Sequence, residues 1–476
     1  MAKEKFIFWD LETTGRNDKF NQITQVGAVL TDSEFNILDK IEIHSKLREG
    51  KWFEPGALLT TGVDPLSLFN NNYPSYYEAI SQLYESFQEW SQPSATFIGF
   101  NSISFDEPFL RQSFYQNLIP EIYMTVTNKN FRMDVFDILR LVSVFHPNDI
   151  KFDKDENGYP ILKLENITKI NNIKAQYDAG PHDAVFDSLQ TLELNKILSI
   201  RCPKIWEAAL EFRNRDYPKN FLLKNKVFTN LTYWGRRPTI KAQSFVGGLP
   251  DRNHNYLVFN LIFDPSEMSK LDDKQLTKKM NDGSKRITEI FDGSKSKILL
   301  NESYCFKDSK FAEIGIDTLR KRADFLLENE NFSSRLIKLH IENQKKWPEA
   351  LYIEDRIFEK FPSYKDKQAM INFHTSPNSK KFEVANQFED ERYKEISTRI
   401  IYEIATQSLP NLDKQNYENE IRERWNDDDQ VKWNSKNKIL LLLEKDLEKS
   451  SLTKEEKMDF KQKVLKFINT ESAKWS

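Results

Sequence analysis

A chain of 476 residues is long enough for several hydrophobic cores, roughly two to four at ordinary domain sizes. With 39% hydrophobic and 30% charged residues it has the composition of a soluble globular protein, and its longest aliphatic run, Ile439-Leu440-Leu441-Leu442-Leu443, is too short for a membrane span. The formal charge of -3 excludes a wholly basic nucleic-acid coat but leaves room for a local basic track. The N-terminus enters a strand pattern without a signal peptide's apolar region, so a cytoplasmic location is expected. Cys202 and Cys305 lack a paired-cysteine spacing and read as buried thiols, not as a disulfide or zinc site.

The apolar run from Phe6 predicts a buried strand that ends in Asp10-Leu11-Glu12-Thr13-Thr14-Gly15. Residues two apart on a strand point to one face, so Asp10 and Glu12 present their oxygens together. Gln22 to Leu30 and Ile37 to Ser45 read as two further strands joined by a polar hairpin. Pro74 to Trp90 has helical spacing, and Thr96 to Phe100 is again a strand, leading through Asn101 to Asp106 into a helix. Arg132 to Phe145, Leu162 to Ile173 and Asp183 to Ile200 are expected helices, the last entered through Ala179-Gly180-Pro181-His182. This is an α/β unit up to about Arg201. Pro203 to Lys226 reads as a charged, aromatic connection. Short β-like pieces follow at Val227 to Tyr233, Thr239 to Phe245, Tyr256 to Phe263 and Lys297 to Leu300, with helices near Leu271 to Met280 and Thr318 to Asn329. From about Ile353 glycine is absent and helical patterns dominate, which predicts an α-helical domain.

An Asp-x-Glu pair by itself fits a solvated acidic turn as well as a metal site. Asp106 at a strand end, and His182 five residues before Asp187 at a helix start, change that balance. Four acids and a histidine converging at the edge of one sheet can hold two divalent ions, Mg²⁺ or Mn²⁺, which take all-oxygen sites. Asp10 is expected to bridge, with Glu12 and Asp187 completing one site and Asp106 helping the other. Two such ions about 3.5–4 Å apart stabilise an in-line phosphoryl displacement, and a histidine with an unperturbed pKa near 6.5 is suited to take the proton of the attacking water. Asp183 is expected to cap its helix, and Asp134 and Asp137 to be surface or supporting acids. Interleaved cations and rings at Arg213 to Lys226 and at Tyr233-Trp234-Gly235-Arg236-Arg237 could track phosphates and stack on bases, each stack being worth ~1–3 kcal/mol.

On these residues the chain resembles the DEDDh-type 3'-5' exonuclease family. Asp10-Leu11-Glu12-Thr13, Asn101 to Asp106 and His182 to Asp187 match its three motifs. The likeness continues through Thr31 to Asn36, Pro55-Gly56-Ala57, Thr61-Gly62, Phe114-Tyr115 and Arg132-Met133-Asp134, and more weakly through Gly247 to Pro265 and Asp390 to Pro410. The resemblance implies a ribonuclease H-like exonuclease domain at 1–201, an SH3-like β-rich domain at 202–352 and an α-helical C-terminal domain at 353–476. It also implies catalytic Asp10, Glu12, Asp106, His182 and Asp187, with substrate contacts from Glu12 and from Lys163 in Lys163-Leu164-Glu165. Leu11 and Thr14 stand where the family carries larger rings. The activity implied is processive removal of 5'-mononucleotides from single-stranded DNA in repair and recombination. A monomer that docks on single-stranded-DNA-binding protein is implied as well. A relative that trims RNA or proofreads, and a nuclease-like binding scaffold without activity, remain the alternatives.

Overall fold

The computed structural model describes residues 4–175, 177, 180–344, 349–427 and 431–476; of the expected loop at 179–182, Ala179 lies outside them. Its first sheet has five strands in the order β3-β2-β1-β4-β5: β1 Lys5–Thr13, β2 Ile23–Asp32, β3 Ile37–His44, β4 Thr96–Gly99 and β5 Phe131–Asp134. The first three pair antiparallel, whereas β4 and β5 run parallel to β1. Alternation along β1 builds two cores at once. Ile7, Trp9 and Leu11 pack with Ile80, Leu83 and Phe87 of helix Tyr76–Trp90 and with Phe109 and Phe114 of helix Asp106–Gln116. Phe6 and Phe8 face the other way, toward Ile138, Val142, Val185 and Leu189 of helices Val135–Phe145 and Ala184–Arg201.

Two expectations fail here for related reasons. Arg132 to Phe145 is not one helix: its first residues form β5, and Asp134 caps the helix that follows by accepting from Phe136 N–H. Parallel pairing with β4 decides a run too short for its own period to fix. Asp134 is accordingly buried, not a surface acid. The stretch from Pro203 is two helices, Pro203–Phe212 and Tyr217–Lys224, each with a proline in its first turn, and their apolar residues Ile205, Trp206, Phe212 and Leu222 join the first core. The expected helix at 162–173 contracts to Leu164–Ile170.

The second sheet is antiparallel, in the order β10-β6-β7-β8-β9, built from β6 Phe228–Trp234, β7 Arg237–Gly248, β8 Asn255–Asn260, β9 Thr288–Asp292 and β10 Leu300–Asn301. The strand at β9 was not expected from the sequence. Helices Ile316–Glu328 and Glu330–Glu342 cover this sheet through Leu319, Leu326, Phe332 and Leu336.

Helices dominate the remainder, and they bury their apolar faces on the first domain. Trp425 and Phe467 pack with Trp52, Phe53 and Phe20, while Phe373 and Ile400 pack with Tyr77, Tyr115 and Leu118. Glu354 sits fully buried in this seam, accepting hydrogen bonds from Arg399 at 2.7 Å and from Arg424 at 2.8 Å. Burial alone would raise its pKa, but Arg424 and Arg399 hold it well below the usual carboxylate range. Both cysteines are buried free thiols. Among the described residues no helix is long and apolar enough to cross a membrane.

Candidate active site

Asp10 and Glu12 continue the Phe6 and Phe8 row, so both carboxylates leave β1 on the face covered by helix Ala184–Arg201. That helix comes unusually close. Gly27, the β2 partner of Asp10, has no room for a side chain, because a Cβ there would collide with the backbone of Ala184 and Val185. Ser188 Oγ donates to Gly27 O at 2.8 Å, and Gln25, the partner of Glu12, donates to Asp183 Oδ2 at 2.9 Å and accepts from Ala184 N–H. The helix start is thereby pinned over the ends of the two strands, which brings Asp187 in its first turn to Glu12. Asp183 is the N-cap, accepting from Val185 and Phe186 N–H.

His182 precedes the cap in the left-handed region, at φ 67°, and its N–H donates to Asp187 Oδ2 at 3.2 Å. Ligand atoms of Glu12, His182 and Asp187 all lie within 4.8 Å of one another. Asp106, 3% exposed, enters from the start of its helix and accepts from Leu11 N–H, between the two acids of β1, at 3.1 Å.

The electrostatics show that all four acids share one environment. Burial pushes the Asp10 carboxyl well above its ordinary range, and the charges of Asp106, Glu12 and Asp187 raise it further. Burial, then Asp187 and Asp106, push Glu12 up to about 9. Asp187 rises to about 7, mainly by burial, against the lowering effect of the His182 N–H. Asp106 is raised by burial despite the N–H groups it accepts. Carboxylates held this way retain protons unless a cation replaces them. The four carboxylates offer an all-oxygen donor set, which suits a hard divalent ion.

Asp10, His182 and Asp187 line a cleft of about 480 Å³ whose walls include Phe100, Leu162, Pro181 and Tyr233. Lys163 lines it too, as an exposed residue whose Nζ lies 3.4 Å from Glu165 Oε1. Glu165 Oε2 in turn lies 3.8 Å from His182 Nε2. Of the six expected site residues, five therefore face this cleft or the acid cluster at its floor, and Asp106 joins the cluster from behind.

Sequence reading missed Gly27 and Gln25; the signal available was a lone glycine inside a strand, between Val26 and Ala28, which marks close backbone approach. It also passed over Arg140, whose guanidinium lies 4.3 Å from the Phe136 ring and 4.9 Å from the Tyr233 ring on the cleft wall. Arg236, at the tip of the β6–β7 hairpin, crosses to Asp155 at 3.2 Å, and Trp234 beside it is 74% exposed. By contrast Arg213 is engaged with Glu4, Thr96 and the Phe131 ring, and Lys226 with Asp324, so the 213–226 track is partly structural.

No protein-family model matches the chain. Exodeoxyribonuclease I of Buchnera aphidicola from Schizaphis graminum is 24% identical over 412 residues, covering 83% of this chain and 82% of that protein. The Escherichia coli protein of the same name is 25% identical over 285 residues, 58% of each chain, and the Haemophilus influenzae one 29% over 217 residues, 45% of this chain and 44% of that. Among solved structures, a moderately thermophilic exonuclease I from Methylocaldum szegediense superposes with a TM-score of 0.83 at 20% identity, covering 98% of this chain and 99% of that one. E. coli exonuclease I in complex with a dA16 oligonucleotide gives 0.82 at 18% identity over 98% and 100%. The ribonuclease H-like α/β domain, SH3-like β domain and C-terminal helical domain are the fold shared with these structures. Sequence and fold together show strong homology between this chain and the exodeoxyribonuclease I family.

Proposed function

We propose that the protein is a metal-dependent 3'-5' exonuclease that degrades single-stranded DNA to 5'-mononucleotides. The observation that carries this reading is the group of four acids, Asp10, Glu12, Asp106 and Asp187, in which Asp106 and Asp187 add to the burial that raises the pKa of Asp10 and Glu12, beside His182 at the floor of an open cleft. Names of the relatives support the substrate and the class of reaction, and solved relatives include complexes with dA16 and dT13 oligonucleotides.

Asp10, Glu12, Asp106 and Asp187 would hold two Mg²⁺ ions, or Mn²⁺ in their place, and His182 stands at the cluster's open side. Bound there, the ions supply charge neutralisation at the attacking and leaving oxygens of the phosphodiester. His182, on its loop, takes the proton of the attacking water. Lys163 meets a phosphate as a point charge without the bidentate fork of arginine. Arg140 and Arg236 extend the cationic wall toward the β-rich domain, and Phe100, Phe136 and Tyr233 offer rings to unpaired bases.

The proposed division into 1–201, 202–352 and 353–476 is supported by where the sheets fall: the first lies within 5–134 and the second within 228–301, with no strand beyond 301 among the described residues. Helices 203–212 and 217–224 form the seam, since they pack on the first core. The first two units line one cleft, and processive action by a monomer belongs to the same proposed reading. A relative solved as an SSB/exonuclease I complex supports docking on single-stranded-DNA-binding protein, and cytoplasmic work in DNA repair and recombination follows from the same reading.

The test is a 5'-labelled DNA strand incubated with protein and Mg²⁺. Laddering from the 3' end is expected, abolished by chelator or by Asp10→Ala. Undiminished cleavage by Asp10→Ala overturns the site, and no cleavage by the parent protein overturns the function.

A further inference from the structure

Asp106 is the acid of the cluster that sits at the very first residue of its helix. It follows the irregular segment 100–105, in which Asn101 takes φ 61° and Phe105, the N-cap, lies outside the helical region. The N-cap makes no side-chain hydrogen bond. The segment therefore needs an external restraint, and β5 provides one on each side of Asp106.

On the loop side, the Asp134 carboxylate accepts from three backbone N–H groups: Asn101 at 2.8 Å and Phe136 at 3.0 Å through Oδ1, and Ile103 at 3.1 Å through Oδ2. Asp134 is 6% exposed and pairs in register with Gly99, the last residue of β4, so its position is set by the ladder itself. On the helix side, Arg132 lies two residues earlier on the same face of β5 and forms a buried ion pair with Glu107, the neighbour of Asp106. Arg132 also donates from Nη2 to Ser294 O, at 2.6 Å, in the β-rich domain. Neither residue lines the cleft.

We infer that Asp134 and Arg132 are positioning residues that fix Asp106 from both sides and thereby set the affinity for divalent metal. This rests on the proposed exonuclease reading. An ionised carboxylate is acceptor-only, which matches three converging N–H groups; an amide in its place must turn a donor toward at least one of them. The loop then relaxes and Asp106 moves relative to β1. Outer-shell changes of this kind cost 10–100-fold in metal affinity or activity.

Asp134→Asn and Arg132→Met are made in the full chain and checked for folding by thermal melting. Free Mn²⁺ is counted by electron paramagnetic resonance, and kcat and KM on single-stranded DNA are measured with Mg²⁺. The expected result is a rise of about 10–100-fold in the half-saturating Mn²⁺ concentration. A matching fall in kcat and an unchanged KM for DNA should accompany it. Folded variants that bind Mn²⁺ and turn over within about twofold of the parent overturn the positioning role while leaving the exonuclease reading intact. If Asp134→Asn does not fold, Arg132→Met decides by the same measurements. A parent that neither binds Mn²⁺ nor cleaves DNA overturns both.

Discussion

Replacing Glu12 with glutamine separates what the acid cluster does for chemistry from what it costs the fold. In the metal-free protein the Glu12 carboxyl titrates at about 9, against 4.5 for an ordinary glutamate, chiefly because it is buried and next because Asp187 and Asp106 repel its charge. Between those values the folded chain keeps a proton that the unfolded chain has released. The sign follows: stability is fullest below the unfolded pKa and is lost as pH rises toward the folded one. The slope for one group is on the order of 1 kcal/mol per pH unit, so a few kcal/mol disappears between pH 6 and pH 8. Glu12 is only 9% exposed, so solvent screening removes little of this. Glutamine cannot titrate. In chelator, Glu12→Gln should therefore gain stability relative to the parent by on the order of 1 kcal/mol for each unit of rising pH. Urea unfolding at pH 6, 7 and 8, followed by tryptophan fluorescence, measures it. A difference between variant and parent that stays constant across that range refutes the reasoning. With Mg²⁺ present the same variant should lose cleavage at every pH.

Gly27→Ala places a methyl group against the backbone of Ala184 and Val185, where no side chain can yield. The helix start must back away, costing about 1–3 kcal/mol as overpacking does and moving Asp187 off Glu12; a melting scan and the labelled-strand assay should show a modest loss of stability with a disproportionate loss of cleavage. Glu354→Ala removes the fully buried carboxylate between Arg399 and Arg424, which then keep only Glu395 and Glu420 as partners in the seam beneath the helical domain, and should destabilise by about 3 kcal/mol. Because Glu354 titrates well below the usual range, its contribution is present at neutral pH and lost on acidification. Urea midpoints of variant and parent that fail to converge as pH is lowered would contradict this.

The acid pair on β1 was legible because strand alternation is local: an apolar run of period two fixes which residues share a face, whatever the rest of the chain does. The motif spacing named Asp106, His182 and Asp187 for a similar reason, each lying at a junction between a strand or loop and a helix. Long helices with strong apolar stripes, such as Tyr76–Trp90, were equally plain. What failed were short elements. Four residues of β5 and five of β9 carry too little pattern to choose a state, and hydrogen bonding to a neighbouring strand chose for them.

The site divides along the same line. The sequence by itself determined which side chains can bind a divalent ion and on which face of β1 two of them stand. Tertiary structure decided that they meet. Gly27 lets the Asp187 helix descend on the strand, Asp134 and Arg132 hold the loop and helix that carry Asp106, and the β6–β7 hairpin brings Arg236 to Asp155. Those contacts join residues far apart in the chain, and no local period records them. The raised pKa values are a property of the assembly as well, since burial and mutual repulsion act only once the fold has closed around the four acids.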